Sequence, residues 1–317
     1  GGERGLGPPP VATGADADRI VDEARRRTVS RRELARAEGF EQLSPEVGEL
    51  DEAAVSDALA TDPDATLALL ARMTGATDTR LRALAERLAA RLFLDLARQH
   101  EVDGRGIGRI VSAPYRPDEG DIDIDRSIEE LVSAGAERRA VMPGELVIRS
   151  WGRPSTAICL LVDRSGSMHG RPLATSALAA AVVAARTPDA YAVLSFARDV
   201  VAARAMWETR PTDEVIDRVL SLRGHGTTDV ALALRAAGAQ LATASAARRV
   251  TVLLSDCRAT EHGDVVGAAR SLDELVVLAP DGDSAEAAAL AESAGGRWTT
   301  VSGPSDVVAA LSSVLNR

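Results

Sequence analysis

After Ser155 the chain carries five short apolar runs: AICLLV at 157–162, YAVLSF at 191–196, VTVLLS at 250–255, LVVLA at 275–279 and WTTV at 298–301. Helical stretches rich in alanine separate most of them. Runs of four to eight apolar residues without alternation are what parallel strands covered on both faces look like, and their regular separation by helices predicts a doubly wound, mostly parallel α/β sheet. The segment VVAARAMW (200–207) follows YAVLSF too closely for a crossover, so it reads as the second arm of a hairpin and an antiparallel edge strand.

The rest of the 317 residues divides by pattern. Residues 1–17 are rich in Gly and Pro and read as a flexible leader. Residues 18–104 are helical in pattern. SRRE at Ser30–Glu33 has the form of a capping box. TDPDATLALLARMTG has an N-cap at Asp62, Pro63 at the first helical position and Gly75 past the end. Leu81, Leu84, Leu88, Leu92 and Leu96 recur at helical spacing, which reads as one face of a helix-bundle core. The arginines at 25, 26, 27, 31 and 32 interleave with acids and read as a solvated face. Residues 105–154 form a connector with strands near Ile110 and Ile122–Ile124 and a short helix after Ser127. An EF-hand loop starting at Asp121 of its DIDID would need a glycine and a glutamate at the positions where Arg126 and Val132 stand. DIDID reads instead as an exposed strand with acids on one face. Residues 155–317 are the α/β domain.

Composition excludes several functions. All 37 cations are arginine, so a Walker A lysine, a Schiff-base lysine and a Ser-x-x-Lys nucleophile are all ruled out. The net charge of −10 argues against nonspecific nucleic-acid binding. Cys159 and Cys257 are too few for a disulfide scaffold and read as buried thiols of a reducing cytosol. No stretch is long and apolar enough to span a membrane and no signal peptide is visible, so a cytoplasmic protein is expected, although the chain opens on Gly rather than Met.

Open α/β sheets bind ligands beyond the carboxyl ends of their strands. There the first strand delivers Asp163, Ser165 and Ser167 within CLLVDRSGSMHGRP. The strand VTVLLS delivers Asp256, and the Gly-rich turn RGHGTTD delivers Thr227, Thr228 and Asp229 at a helix start. Two serine hydroxyls, a threonine hydroxyl and two carboxylates are hard oxygen donors with little total charge. Such a set suits Mg²⁺, which tolerates waters in its shell, with Mn²⁺ and Ca²⁺ as alternatives, and it leaves a position open to an incoming carboxylate. His169, His225 and Cys257 lie in the same loops, and a soft-metal site from these three is the lesser reading. A Ser-His-Asp hydrolase would need a G-x-S-x-G elbow that Ser165 lacks.

D-x-S-x-S after the first strand, a Thr-Asp helix start and a strand-ending Asp resemble the von Willebrand factor A domain with its metal-ion-dependent adhesion site. The resemblance implies metal ligation by Asp163, Ser165, Ser167, Thr228 and Asp256. The sequence departs from the usual pattern at Cys257 and Arg258, where a glycine normally follows the late aspartate. A helical segment followed by this domain resembles intracellular bacterial proteins of the CoxE and ViaA type and the D subunit of magnesium chelatase. That likeness implies no enzymatic activity of the chain's own and work beside a MoxR-type AAA+ ATPase. It further implies adapting a client that presents an acidic side chain, in metal-cofactor insertion or complex maturation. An extracellular adhesion module and an RNA-binding A-domain protein are the alternatives.

Overall fold

The computed structural model describes residues 10–99, 109–115, 121–152, 155–164, 170–222 and 227–315. Two compact units result. One joins residues 1–102 to 156–317; the other is 103–155.

In chain order the first unit begins with β1 (Val11–Ala12), α1 (Gly14–Arg25), α2 (Arg31–Leu34), α3 (Phe40–Leu43), α4 (Glu52–Thr61), α5 (Pro63–Met73) and α6 (Thr79–Gln99). The second unit holds β2 (Arg109–Pro114), β3 (Asp121–Ile122), α7 (Ile124–Ala136) and β4 (Val147–Gly152). The first unit resumes with β5 (Thr156–Asp163), α8 (Arg171–Arg186), β6 (Tyr191–Phe196), β7 (Val200–Arg204), α9 (Thr212–Ser221) and α10 (Val230–Ala242). It closes with β8 (Arg248–Leu254), α11 (Val265–Arg270), β9 (Leu275–Pro280), α12 (Ala285–Ala294), β10 (Arg297–Val301) and α13 (Pro304–Leu315).

The main sheet has the order β1-β7-β6-β5-β8-β9-β10, parallel except for the β6–β7 pair. The chain leaves β5 toward β6 on one side and later returns to β8 on the other, so the order reverses at β5. That reversal is the place where an open α/β sheet forms its crevice. Alternate residues of β5 face opposite layers: Ile158, Leu160 and Val162 belong to one apolar cluster, and Ala157, Cys159 and Leu161 to the other.

The expected doubly wound sheet is present, with two differences. The hairpin strand β7 is antiparallel to β6, but it is not the edge, because β1 pairs parallel along its free side. Residues 11–17, expected to be leader, therefore form β1 and the start of α1. Ala17 and Val21 bury against Val201 and Leu222, a contact between sequence-distant residues that local composition does not signal.

The helical segment packs directly onto the sheet layer. Leu67, Leu81 and Phe93 share one apolar cluster with α8 and β5. As a result every residue of α8 from Leu173 to Ala184 is buried. A helix enclosed all round needs small side chains for close approach, which accounts for the alanine-rich sequence of α8. On α6 the fully buried line is Leu81, Ala85, Leu88, Ala89, Phe93 and Ala97, with Leu84, Leu92 and Leu96 at its half-buried margin. The buried stripe is thus rotated from the leucine line. The capping box at Ser30 and the Asp62 cap with Pro63 in the first turn of α5 are both formed. The arginine cluster is only partly the solvated face expected: Arg25 pairs with Asp22 and with the sequence-distant Asp217, and Arg31 is half-buried, donating to the Ser44 and Glu46 carbonyls.

In the second unit, β2 and β3 both pair antiparallel with β4. DIDID is a two-residue strand and a helix start rather than an exposed strand. Asp123 is 2% exposed, caps Arg126 N and takes an ion pair from Arg149 at 3.0 Å. This capping moves the start of α7 forward to Ile124. Among the described residues no helix is long and apolar enough to cross a membrane.

Candidate functional site at the strand ends

Asp163 is the last residue of β5, and its neighbours in register are Phe196 on β6 and the segment just past Leu254 on β8. It is 4% exposed. A carboxylate at that depth needs polar partners. One is Ser255, whose hydroxyl donates to Asp163 Oδ2 at 2.7 Å. The same Ser255 Oγ accepts the backbone N–H of Cys257 at 2.9 Å. Ser255 therefore links the end of β5 to the turn that carries Asp256.

Asp256 follows at the mouth, with Oδ1 accepting the N–H of Arg258 at 3.0 Å. Between Asp256 and Arg258, Cys257 adopts φ +62°. This is the left-handed region, which costs an L-residue about 1–2 kcal/mol and costs glycine little. The backbone here keeps the shape that the usual glycine takes freely, although the side chain differs. The Cys257 thiol is buried; desolvation first, then the Asp256 and Asp163 carboxylates, push its pKa up to about 12.

The third contributor is the start of α10. Asp229 N donates to Ala197 O at 2.9 Å, which fastens this turn beyond the end of β6. Thr228 N donates to Thr260 Oγ1 at 2.7 Å, and Thr228 O accepts from Thr260 N at 3.1 Å, which ties it to the loop after Asp256. Thr228 is 3% exposed whereas Thr227 is exposed, so of the two threonines it is Thr228 that faces inward. The Asp229 carboxylate caps α10 through Leu232 N.

Of the five residues expected at the site, Asp163 ends β5, Asp256 lies just past the end of β8, and Thr228 lies before α10 in a turn fastened to Ala197 just past β6. Ser165 and Ser167, with His169 and His225, lie outside the described residues. Asp163, Ser255 and Asp256 line a pocket of about 130 Å³ whose flanks include Leu254, Pro280 and Val301. Arg171, in the first turn of α8, also lines it. Thr175 and Ser176 turn their hydroxyls back to the carbonyls of Arg171 and Pro172. Sequence reasoning misses Ser255 and Thr260; a hydroxyl directly before a strand-ending aspartate is the available signal for Ser255.

The oxygen donors suit a hard divalent cation, and with two carboxylates the rest of a shell would fall to hydroxyls and water. Among the described residues no three His, Cys, Asp or Glu side chains gather as a metal-holding group, so a site made of histidine, thiolate or carboxylate alone is not formed by them. The surrounding arginines are unequal. Arg164 pairs with Asp199, and Arg258 with Asp283 at 2.6 Å, while among the described residues no ion pair engages Arg171.

A family model described as "VWA domain containing CoxE-like protein" matches residues 69–296, a span that includes α6, the second unit and all three site loops. Among curated proteins none matches the chain significantly. Solved structures that resemble it include a von Willebrand factor type A protein from Catenulispora acidiphila, with 17% identity, 51% of this chain and 42% of that one covered, and TM-score 0.40. An aerotolerance-related membrane protein from Bacteroides fragilis has 17% identity, coverage of 51% and 98%, and TM-score 0.42. The manganese-loaded TRAP protein of Plasmodium vivax has 15% identity, coverage of 50% and 72%, and TM-score 0.38. Likenesses this distant do not bear on what the chain binds.

Proposed function

Because the chain belongs to the family of CoxE-like proteins containing a VWA domain, we propose that it is a non-enzymatic, Mg²⁺-dependent adaptor in the cytoplasm. In this reading it joins a MoxR-type AAA+ ATPase to a client protein, in metal-cofactor insertion or complex maturation. The observation that carries the reading is that Asp163 and Asp256 line one pocket at the sheet's reversal point, with Ser255 donating to the buried Asp163 carboxylate and Thr228 tied through Thr260 to the loop after Asp256.

Asp163, Ser165, Ser167, Thr228 and Asp256 would hold the cation. When bound, Mg²⁺ supplies an electrophilic position that a partner's carboxylate can fill. The chain's own residues select for that acid. Arg171, which has no ion pair among the described residues, places a positive charge at the pocket, and Leu254, Pro280 and Val301 lower the dielectric around it, which strengthens the attraction. Arg164 and Arg258 are already neutralised by acids of this chain and contribute less. The absence of lysine supports a division of labour in which the partner hydrolyses ATP.

The test is capture of the candidate ATPase by immobilised chain, in Mg²⁺ and in EDTA. Loss of capture in EDTA and in a folded Asp163→Ala variant is expected, together with no ATP hydrolysis by the isolated chain. Equal capture in all conditions would refute metal-bridged docking.

A further inference from the structure

A second concavity lies away from the strand ends, on the helical segment. Its cause is local. α4 and α5 are joined through Asp62 alone, which ends one helix and caps the other. The short corner sets the two helices side by side around a gap, and the helix residues that face it are largely alanine and threonine.

The walls have a regular order. α4 contributes Ala54, Asp57, Ala58 and Thr61, which is the i, i+3, i+4, i+7 face of a helix. α5 and its cap contribute Asp62, Ala65, Thr66 and Leu69, the same spacing. Leu43 and Gly39 from the α3 end close the floor. The result is a groove of about 520 Å³ between two helical ridges, each two turns long. Two such ridges are the seat that a third helix fills in helix packing. The threonines make no polar demand on an occupant, because Thr61 Oγ1 donates to Asp57 O and Thr66 Oγ1 to Asp62 O.

The rim defines the charge of that helix. Glu38, Asp57 and Asp62 stand around a groove whose other walls are Gly39, Leu43, three alanines and Leu69, with Gln42 and two threonines as its uncharged polar members. Asp62 is partly satisfied as a cap, accepting Ala65 N at 2.9 Å. Glu38 and Asp57 are exposed, and among the described residues no arginine pairs with either, although arginines are frequent in this segment. An apolar floor with an unneutralised acidic rim complements an apolar stripe flanked by arginine or lysine. The same charges oppose a second copy of this face.

We infer that the groove between α4 and α5 is the docking seat for a basic amphipathic helix of a partner protein. This does not rest on the metal reading. α5 also reaches toward the other end of the unit, since Asp64 accepts Ser305 N at 2.8 Å, two residues past Gly303 of the strand-end pocket.

The probe is a 14-residue amphipathic peptide of leucine and arginine, with a leucine–glutamate peptide as control, titrated into ¹⁵N-labelled protein in EDTA. The expected result is saturable binding of the arginine peptide, with amide shifts centred on α3, α4 and α5. Ala58→Trp, which fills the groove, and the exposed double change Glu38→Arg with Asp57→Arg should each weaken binding at least tenfold. The double change alters only exposed side chains and leaves the circular dichroism spectrum unchanged. No saturable binding, equal binding of the glutamate peptide, shifts centred elsewhere, or a protein dimer that the peptide dissociates would each overturn the inference.

Discussion

The hydroxyl of Ser255 donates to Asp163 Oδ2 at 2.7 Å across the ends of two neighbouring parallel strands, and its oxygen accepts the amide of Cys257. One small side chain thus serves a buried carboxylate and a strained turn together. Ser255→Ala leaves both groups short of a partner. Unfolding in urea is expected to show a loss of about 1–3 kcal/mol, the range for removing a hydrogen bond to a buried charged group. Metal affinity, if Asp163 is a ligand, should fall about 10- to 100-fold, as when a group orienting a ligand is lost. Wild-type stability in Ser255→Ala would mean that water replaces the hydroxyl without penalty.

The link between the helical segment and the last helix should be measurable by itself. Asp64, in the first turn of α5, reaches the first turn of α13 and accepts Ser305 N. Gly303 leaves it room, since a Cβ there would stand 2.2 Å from Asp64 Oδ2. Asp64→Ala is expected to cost about 1 kcal/mol, the magnitude of a lost cap. Asp64→Asn, which keeps the acceptor but not the charge, should recover most of it. Equal losses in the two variants would assign the effect to charge at the helix ends rather than to the hydrogen bond.

The pH dependence has a defined direction at Glu274. Hydrogen bonds from Arg248, with Arg297 adding to them, hold its pKa below the ordinary 4.5. A depressed folded-state pKa contributes stability above the unfolded value and loses it as pH falls through the folded value. The contribution should therefore be complete above about pH 5 and fade below the ordinary 4.5. Glu274→Gln is expected to flatten that part of the stability profile, measured by thermal melts between about pH 3 and 7. An unchanged acid limb would place its origin in other carboxylates.

Much of this architecture is legible in local sequence because local rules govern it. The continuous apolar run 157–162 requires cover on both faces, and β5 has it. Asp62 and Ser30 announce their helix starts through capping chemistry. What is not legible depends on contacts between distant residues. Val11–Ala12 become a strand only because β7 offers a free edge. The buried face of α6 is rotated from its leucines because the alanine-rich α8 packs against it, and alanines 85, 89 and 97 fit that closer surface. Asp123 reads as part of an acidic strand, yet a sequence-distant partner, Arg149, allows it to be buried as a cap. Strand-end residues at 163 and 256 are visible as the points where apolar runs stop. Thr260 is not, since its role follows from which loops become neighbours, and Ser255 is marked only by its place directly before the aspartate.

The central claim is that a divalent cation binds at the ends of β5, β6 and β8 through Asp163. Isothermal titration calorimetry with Mg²⁺ and Mn²⁺, on protein first stripped with EDTA, tests it most directly. Wild-type protein is expected to bind one ion per chain and to gain about 2.7 kcal/mol of stability at a hundredfold excess over Kd. Asp163→Ala should bind none at this site while keeping its circular dichroism spectrum. No binding heat and no thermal shift in wild type, or undiminished binding by Asp163→Ala, would contradict the account.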